Sequence, residues 1–174
     1  MNSITILGCG ETGSQWDGLG YSLGVNDCWK FGKPTNLLFN VQTLQQWARQ
    51  PRERLQTIIR STPEKFITHK QEWGKYFKPD VLELVNIQRW KGRLNGHLQF
   101  SRTSPFIAII LAYQRGFDHI KLFGVDNNTH RDYSPGQSRD FGDEMKNYKE
   151  LISQLKDKGV TFECPKESYI NQFI

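Results

Sequence analysis

The sequence predicts a single Rossmann-like α/β domain with a mainly parallel sheet and an inserted lid-like segment. Three observations predict this fold class. Apolar strand patterns alternate with helical patterns along the chain, and the first strand runs directly into a glycine-rich turn. The length of 174 residues allows one sizeable core but not two catalytic domains. We expect the domain to span residues 1–174, with 69–100 as the insertion or lid.

The first half of the chain supplies four predicted strands and one predicted helix. The strands are expected at residues 4–7, 22–25, 36–39 and 65–68. Residues 44–60 carry apolar side chains at partly helical spacing and predict a helix. Residues 69–100 are polar and aromatic with scattered glycines, which is typical of an insertion over a sheet edge.

The second half supplies two helices and two further strands. Residues 104–116 predict a buried helix, with Ser104 as the cap, Pro105 in the first turn and Gly116 as the stop. A strand follows from residue 119 and ends in Gly124 and Asp126. Residues 143–158 form an amphipathic pattern whose inward side chains are expected to be Met145, Tyr148, Leu151, Ile152 and Leu155, and a last strand is expected at 160–163.

The first strand leads into a G-x-G-x-x-G turn formed by Gly8, Gly10 and Gly13. Such a turn can bring backbone amides close to a phosphate, although a glycine-rich turn without a ligand is the alternative. Only about two helical turns fit after it, which favours a nucleotide site other than a conventional NAD site. Because ligands bind beyond the carboxyl ends of parallel strands, residues 8–13, Asn26, Asn40 and Asp126 are expected to converge on one crevice.

Charge and composition restrict the partners. The net charge of +5 comes from 23 basic and 18 acidic side chains and weakly favours an anionic ligand. Basic residues in 49–60 and 65–78 are interleaved with Trp47, Trp73, Tyr76 and Phe77, a mixture that single-stranded nucleic acid can bind. Charged helices with aromatic residues are more often solvated faces over a core, so a nucleic-acid partner is not expected.

Cysteine spacing and hydropathy indicate neither a metal centre nor a membrane protein. Cys9, Cys28 and Cys164 have no metal-type spacing, and no apolar stretch approaches the roughly 20 residues of a membrane span. We therefore expect a cytoplasmic protein without a membrane span, in which Cys9 fills a turn. Association into a homo-oligomer is left open.

Five segments together resemble a known family. They are ILGCGETG, LGVNDCWKFGK, LLFNV, RTSPFIAIILAYQRGFDHIKLFGVD and LKDKGVTFECPKESYINQF. Their order and approximate spacing resemble the bacterial sialyltransferases of glycosyltransferase family 42 and the related DUF115 proteins, which include the archaeal 6-hydroxymethylpterin diphosphokinase. The resemblance leaves residues 45–100 unsupported. It implies a transferase that uses a nucleotide-activated, CMP-sugar-like donor.

The resemblance also implies roles for individual residues. The nucleotide would be bound by Gly8, Gly10 and Thr12 in a phosphate loop, by Asn26 and Asn40, and by the Thr103–Ser104 pair. An asparagine side chain offers an acceptor and two donors on a short stem, which suits a base edge or a ribose hydroxyl. Each asparagine alone would more often be a turn residue.

Catalysis is expected in the loop of residues 127–142. The family relies on tyrosines after the Gly-x-Asp strand and on a histidine base in a later loop, and this chain has His130 and Tyr133 there, neither at a clearly equivalent position. In a glycosyltransferase His130 would be the general base and Tyr133 would bind the donor phosphate. An exposed polar loop is the alternative.

Two other functions remain open. One is a non-catalytic protein that captures or senses a nucleotide. The other is a Mg²⁺-dependent diphosphokinase, in which Asp126, Asp132, Asp140 and Asp143 would hold Mg²⁺ beside a pyrophosphate. A glycosyltransferase of the resembled type needs no metal, and the absence of a Lys-Ser/Thr ending argues against Walker-type ATP chemistry.

Overall fold

The computed structural model describes residues 2–45, 52–61, 63–126 and 142–174. The described strands are, in chain order, β1 (Ser3–Leu7), β2 (Ser22–Val25), β3 (Leu37–Phe39), β4 (Lys65–Thr68), β5 (Leu82–Leu84), β6 (Ile87–Arg89), β7 (Leu98–Phe100), β8 (His119–Phe123) and β9 (Thr161–Glu163). The described helices are α1 (Arg52–Arg60), α2 (Ser104–Gln114) and α3 (Gly142–Lys156), with short 3-10 helices at Glu11–Gln15, Cys28–Phe31, Gln71–Lys75 and Tyr169–Phe173.

Seven of the described strands form one sheet in the order β5-β4-β3-β2-β1-β8-β9, and β6 pairs with β7 in a separate ribbon. All of these pairings are parallel. The α/β fold class and the mainly parallel sheet are therefore confirmed. Because β1 lies between β2 and β8, the carboxyl ends of β1 and β8 mark the point where the strand order reverses.

Each face of the sheet is covered by its own apolar cluster. Side chains on a strand alternate between faces, so Leu37 and Phe39 belong to the cluster that includes α2 and α3, whereas Leu38 belongs to the opposite cluster with Trp73. This arrangement buries the strands on both sides and explains why they read as continuous apolar runs.

The helix α2 confirms the predicted buried helix. Residues 106–110 are fully buried, and the left-handed backbone of Gly116 (φ +81°) follows the end of the helix. The predicted role of Ser104 as the cap is wrong: Thr103 occupies that position without a side-chain cap, and Ser104 is the first helical residue. The inward face predicted for α3 is confirmed, since Met145, Tyr148, Leu151, Ile152 and Leu155 are all buried.

The predicted helix at 44–60 is described only in part. Its second half is α1, residues 44 and 45 are helical, and residues 46–51 lie outside the described residues. Further along, Trp73 and Phe77 pack with Phe66, with ring centroids of Phe66 4.9 Å and 4.1 Å away. These two aromatic side chains are therefore core residues rather than a surface for nucleic-acid bases.

The predicted insertion at 69–100 is built into the domain. Its strand β5 extends the main sheet beside β4, and the ribbon β6–β7 packs against α2 through Trp90 and Leu98. The ring of Trp90 meets that of Phe106 edge-on at a centroid distance of 5.1 Å. A lid function for this segment stays a prediction.

None of the helices in the described ranges has the length and apolar character required to cross a lipid bilayer.

Candidate functional site

The predicted site residues follow the carboxyl ends of neighbouring strands. Gly8 follows β1, Asn26 follows β2, Asn40 follows β3, and Asp126 lies three residues beyond β8. Asn26 and Asn40 each continue the strand ladder, since their backbone N–H groups donate to Phe39 O and Ile67 O at 3.0 Å. The parallel sheet thus brings these residues to one edge, as the crevice prediction requires.

A buried contact joins the ends of β1 and β8. The Thr12 hydroxyl donates to Asp126 Oδ1 and accepts from the backbone N–H of Gly124 at 2.9 Å, and Thr12 N donates to Asp126 Oδ2 at 2.9 Å. Thr12 and Asp126 are only 5 % and 2 % exposed. The Asp126 carboxylate therefore holds the turn in place from inside the protein, where an unpaired charge would be costly.

The glycines of the turn are required by close packing. A Cβ on Gly8 would lie 2.3 Å from Gly124 O, a Cβ on Gly10 would lie 2.4 Å from Asp126 Oδ2, and a Cβ on Gly13 would lie 2.4 Å from the ring of Phe31. Real Cβ atoms do not approach other atoms this closely. The G-x-G-x-x-G pattern is thus explained by contacts within the protein.

The backbone amides of the same turn are engaged within the protein as well. Gly8 N and Gly10 N donate to Phe123 O and Gly124 O at 2.8 Å, and Gly13 N donates to Gly10 O at 3.1 Å. Together with Thr12 N, four amides that the sequence offers to a phosphate already have acceptors. A role for Gly8, Gly10, Thr12 and Gly13 in nucleotide binding stays a prediction.

Asn26 has an unusual backbone and an unsatisfied side chain. Its φ of 51° is the one left-handed value among the described non-glycine residues, and asparagine tolerates that region better than most residues. Its Nδ2 donates to Ser104 Oγ at 3.1 Å, which joins the end of β2 to the start of α2. Its Oδ1 is buried and has no hydrogen-bond partner among the described residues.

Asn40 and His69, which follow the next two strands, also have a buried polar atom without a hydrogen-bond partner among the described residues. The fully buried Asn40 accepts a hydrogen bond from Gln42 N at 2.7 Å, but its Nδ2 has no partner within the described part of the chain. His69 directly follows β4, and its buried Nδ1 likewise lacks a described partner. Burial, and secondarily the charge of Lys70, lowers the pKa of His69 below its ordinary value of 6.5.

His69 was not predicted as a site residue. The signal that would have identified it is its position, since it follows β4 in the same way that Asn26 follows β2 and Asn40 follows β3. An isolated histidine after a short strand gives no such signal until the strand order is known.

A groove of about 600 Å³ opens beside these strand ends. We refer to it as the strand-end groove, and its lining residues are Val41, Gln42, His69, Ile87, Gln88, Arg89, Phe100, Ser101 and Ile107. One wall is formed by the ends of β3 and β4 and the other by the ribbon β6–β7 and α2. Its size falls within the range of small-molecule sites, roughly 300–1,000 Å³.

The Thr103–Ser104 pair is positioned by Glu144, which the sequence did not single out. The Glu144 side chain is fully buried and accepts hydrogen bonds from Ser101 Oγ, from Thr103 Oγ1 at 2.9 Å, and from the backbone N–H of Arg102 at 3.1 Å and of Thr103 at 3.2 Å. A buried carboxylate with this many donors fixes the loop before α2 against the first turn of α3. Its acidic identity alone, in the first turn of a helix, would have indicated only a favourable dipole interaction.

The remaining predicted residues give no catalytic geometry. His130, Tyr133, Asp132 and Asp140 lie outside the described residues. Asp143 is 82 % exposed and lies 3.3 Å from Arg102 Nη2, and within the described ranges no group of three or more His, Cys, Asp or Glu side chains is arranged to hold a metal ion. The catalytic roles and the Mg²⁺ requirement stay predictions.

The described cysteines form no disulfide bond with one another. Burial raises the pKa of Cys28, and burial also raises the pKa of Cys164 to about 11. Both thiols are therefore protonated near neutral pH and are poor nucleophiles.

Two solved structures share this fold. Both are of the sialyltransferase CstII from Campylobacter jejuni, one in complex with the substrate analogue CMP-3FNeuAc (TM-score 0.60) and one with cytidine-5'-monophosphate (TM-score 0.57). Each is 14 % identical to this chain, and the alignments cover 100 % of this chain and 85 % and 84 % of the enzyme. Neither a protein-family model nor a curated protein sequence matches this chain. The resemblance to bacterial sialyltransferases is thus supported at the level of the fold, while the relation to DUF115 proteins and the pterin diphosphokinase stays a prediction.

We expect Gly10→Ala to destabilise the protein without any ligand present. The new methyl group would collide with Asp126 Oδ2 and force apart the contact that joins β1 to β8. Overpacking of this kind costs about 1–3 kcal/mol, measured as the free energy of unfolding in urea. Gly74→Ala is the matched control, because its nearest neighbour would be Leu82 Cδ2 at an ordinary 3.6 Å. Equal stability of the two variants would contradict this account of the turn.

His69 should make stability dependent on pH. Because its folded pKa lies below 6.5, the unfolded chain binds the proton more readily, and stability is lost as the pH falls from 6.5 toward the folded pKa. The variant His69→Gln should lose less stability than the parent between pH 7.5 and pH 5.5 in urea titrations. His97→Gln, which removes an exposed imidazole, should keep the parent's acid-induced loss. The same pH dependence in His69→Gln and the parent would rule out this role.

Proposed function

We propose that this chain binds the nucleotide of a CMP-sugar-like donor at the ends of β2, β3 and β4, and that it transfers the sugar to an acceptor hydroxyl. One observation carries the proposal. Three successive strand ends present Asn26, Asn40 and His69, and each of these side chains has one buried polar atom without a described partner. Native proteins provide hydrogen-bond partners for nearly all buried polar atoms, so we expect a ligand or ordered water to bind these three atoms.

The unsatisfied atoms have the chemistry of a nucleoside site. Asn26 Oδ1 is an acceptor, Asn40 Nδ2 is a donor, and His69 Nδ1 takes either role according to its tautomer. A pyrimidine base and a ribose together present donors and acceptors that match this set. His69 lines the strand-end groove, Asn40 directly precedes its lining residue Val41, and the groove has the volume for a mononucleotide and an attached sugar.

The start of α2 is the proposed neighbour of the donor phosphate. The 11-residue helix begins at Ser104, next to Asn26, and Pro105 occupies its first turn. The amino end of a helix carries partial positive charge and favours a phosphate. In this proposal Glu144 holds Thr103 and the loop backbone in the position from which the phosphate is contacted.

The proposed transfer needs a proton acceptor and no metal. The acceptor hydroxyl oxygen bonds to the anomeric carbon as the bond to the donor phosphate breaks, and the nucleotide leaves with the electron pair. The hydroxyl proton passes to a general base, for which His130 remains the proposed residue, with Tyr133 proposed to bind the departing phosphate.

Nucleotide binding is tested by ligand-dependent melting of the intact chain with CMP, UMP, AMP and GMP. CMP should raise the melting temperature most, since a ligand at about 100 times its Kd stabilises the fold by roughly 2.7 kcal/mol. Asn26→Ala and Asn40→Ala should each weaken CMP binding by about 1–3 kcal/mol in calorimetric titrations. Asn2→Ala, at the amino end of β1 and exposed, is the control and should bind as the parent does. Unchanged affinity in both asparagine variants would remove the basis of the proposal.

Catalysis is tested by incubating the chain with CMP-sugars and following release of CMP, with and without EDTA. His130→Ala should lower kcat by about 10²–10⁴ with little change in CMP affinity, because only proton transfer is removed. In a parallel incubation with ATP, EDTA-sensitive transfer of a diphosphate group to a hydroxyl acceptor with release of AMP would favour the diphosphokinase instead. If the parent binds CMP but does not turn over CMP-sugars, the alternative of a protein that captures or senses a nucleotide is favoured.

A further inference from the structure

A second hollow adjoins the strand-end groove. Its volume is about 460 Å³, and it lies between the ribbon β6–β7 and the first turns of α3. Arg89, Phe100 and Ser101 line both spaces. A ligand in this adjoining hollow would therefore border directly on whatever occupies the strand-end groove.

The adjoining hollow has a basic lining. Four basic residues line it, namely Arg89, Lys91, Arg102 and Lys146, and they outnumber its two acidic residues, Asp143 and Glu150. One of the acidic residues is already near a cation, since Asp143 lies 3.3 Å from Arg102. The net positive lining favours an anionic ligand.

Its remaining lining fits a sugar. Phe100 is 38 % exposed at the boundary of the two spaces and offers an apolar ring face. Asn147 and Ser101 lie beside it, with Asn147 Nδ2 donating to Ser101 Oγ at 2.6 Å, and present amide and hydroxyl groups. An exposed aromatic ring next to short polar side chains matches the mixed apolar and hydroxyl surface of a saccharide.

We propose that the adjoining hollow binds the acceptor, and that the acceptor is a saccharide bearing a carboxylate or phosphate group. This inference rests on the proposed function, because an acceptor site must border the donor site. The donor would occupy the strand-end groove, and the acceptor hydroxyl would reach it across the boundary formed by Arg89, Phe100 and Ser101.

The test measures binding to the intact chain by ligand-observed NMR, with and without saturating CMP. The probes are a disaccharide that contains a hexuronic acid, maltose 1-phosphate, neutral maltose, and inorganic phosphate. At least one charged disaccharide should bind about 10-fold more tightly than maltose. Tighter binding of the hexuronic acid disaccharide would identify a carboxylate as the anionic group, and tighter binding of maltose 1-phosphate would identify a phosphate. Its affinity should fall as salt is raised.

Variants locate the binding. Lys91→Gln and Lys146→Gln should each weaken the charged disaccharide about three- to five-fold, the size expected for an exposed charge pair, without changing CMP affinity. Lys149→Gln is the matched control, since Lys149 is exposed on α3 but does not line the hollow. It should bind the disaccharide as the parent does.

The outcomes separate this inference from the proposed function. CMP binding without selective binding of a charged disaccharide would overturn the acceptor site alone. Inorganic phosphate binding as tightly as the disaccharide would also overturn it, because the hollow would then recognise only an anion. Selective disaccharide binding with no CMP binding would overturn the proposed function and, with it, the acceptor role.

Discussion

The contact between Thr12 and Asp126 is the constraint on which the arrangement of this domain depends. It joins β1, the first strand of the chain, to β8, which arrives more than a hundred residues later. The two strand ends approach so closely that Gly8 and Gly124 leave no room for a Cβ, and Gly124 adopts a left-handed backbone with φ +67°. At the reversal point of the strand order, where open α/β sheets usually bind ligands, the ends of β1 and β8 are therefore packed directly against each other.

Among the described residues, the strand-end groove opens further along the same end of the sheet. The strand-end groove lies at β3 and β4, two and three strands away from β1 and its glycine-rich turn, and about half of its wall is the ribbon β6–β7. The ribbon belongs to residues 45–100, which the sequence resemblance leaves unsupported, so this segment shapes the candidate site. Selectivity for any ligand in the groove would depend on residues of this segment, such as Arg89 and Phe100, as much as on the strand ends.

Glu144 connects the two parts of the candidate site. Its buried carboxylate gathers the backbone and hydroxyl donors of residues 101–103, so the loop that borders both hollows is tied to α3. A carboxylate removed from water is stabilised only by such a complete set of donors. Glu144 therefore holds this loop in one arrangement, although Glu144 is not itself a lining residue of either hollow.

The sequence by itself determined the local elements and the edge on which polar residues gather. Apolar periodicity located β2, β4, α2 and the inward face of α3, and the order of strands and helices indicated a parallel sheet whose strand ends share one edge. Only the tertiary structure decided which groups meet there. The partners of Gly10, the donors of Glu144 and the alignment of His69 with Asn26 and Asn40 depend on strand order and on contacts between distant segments, and no local pattern of residues specifies those distances.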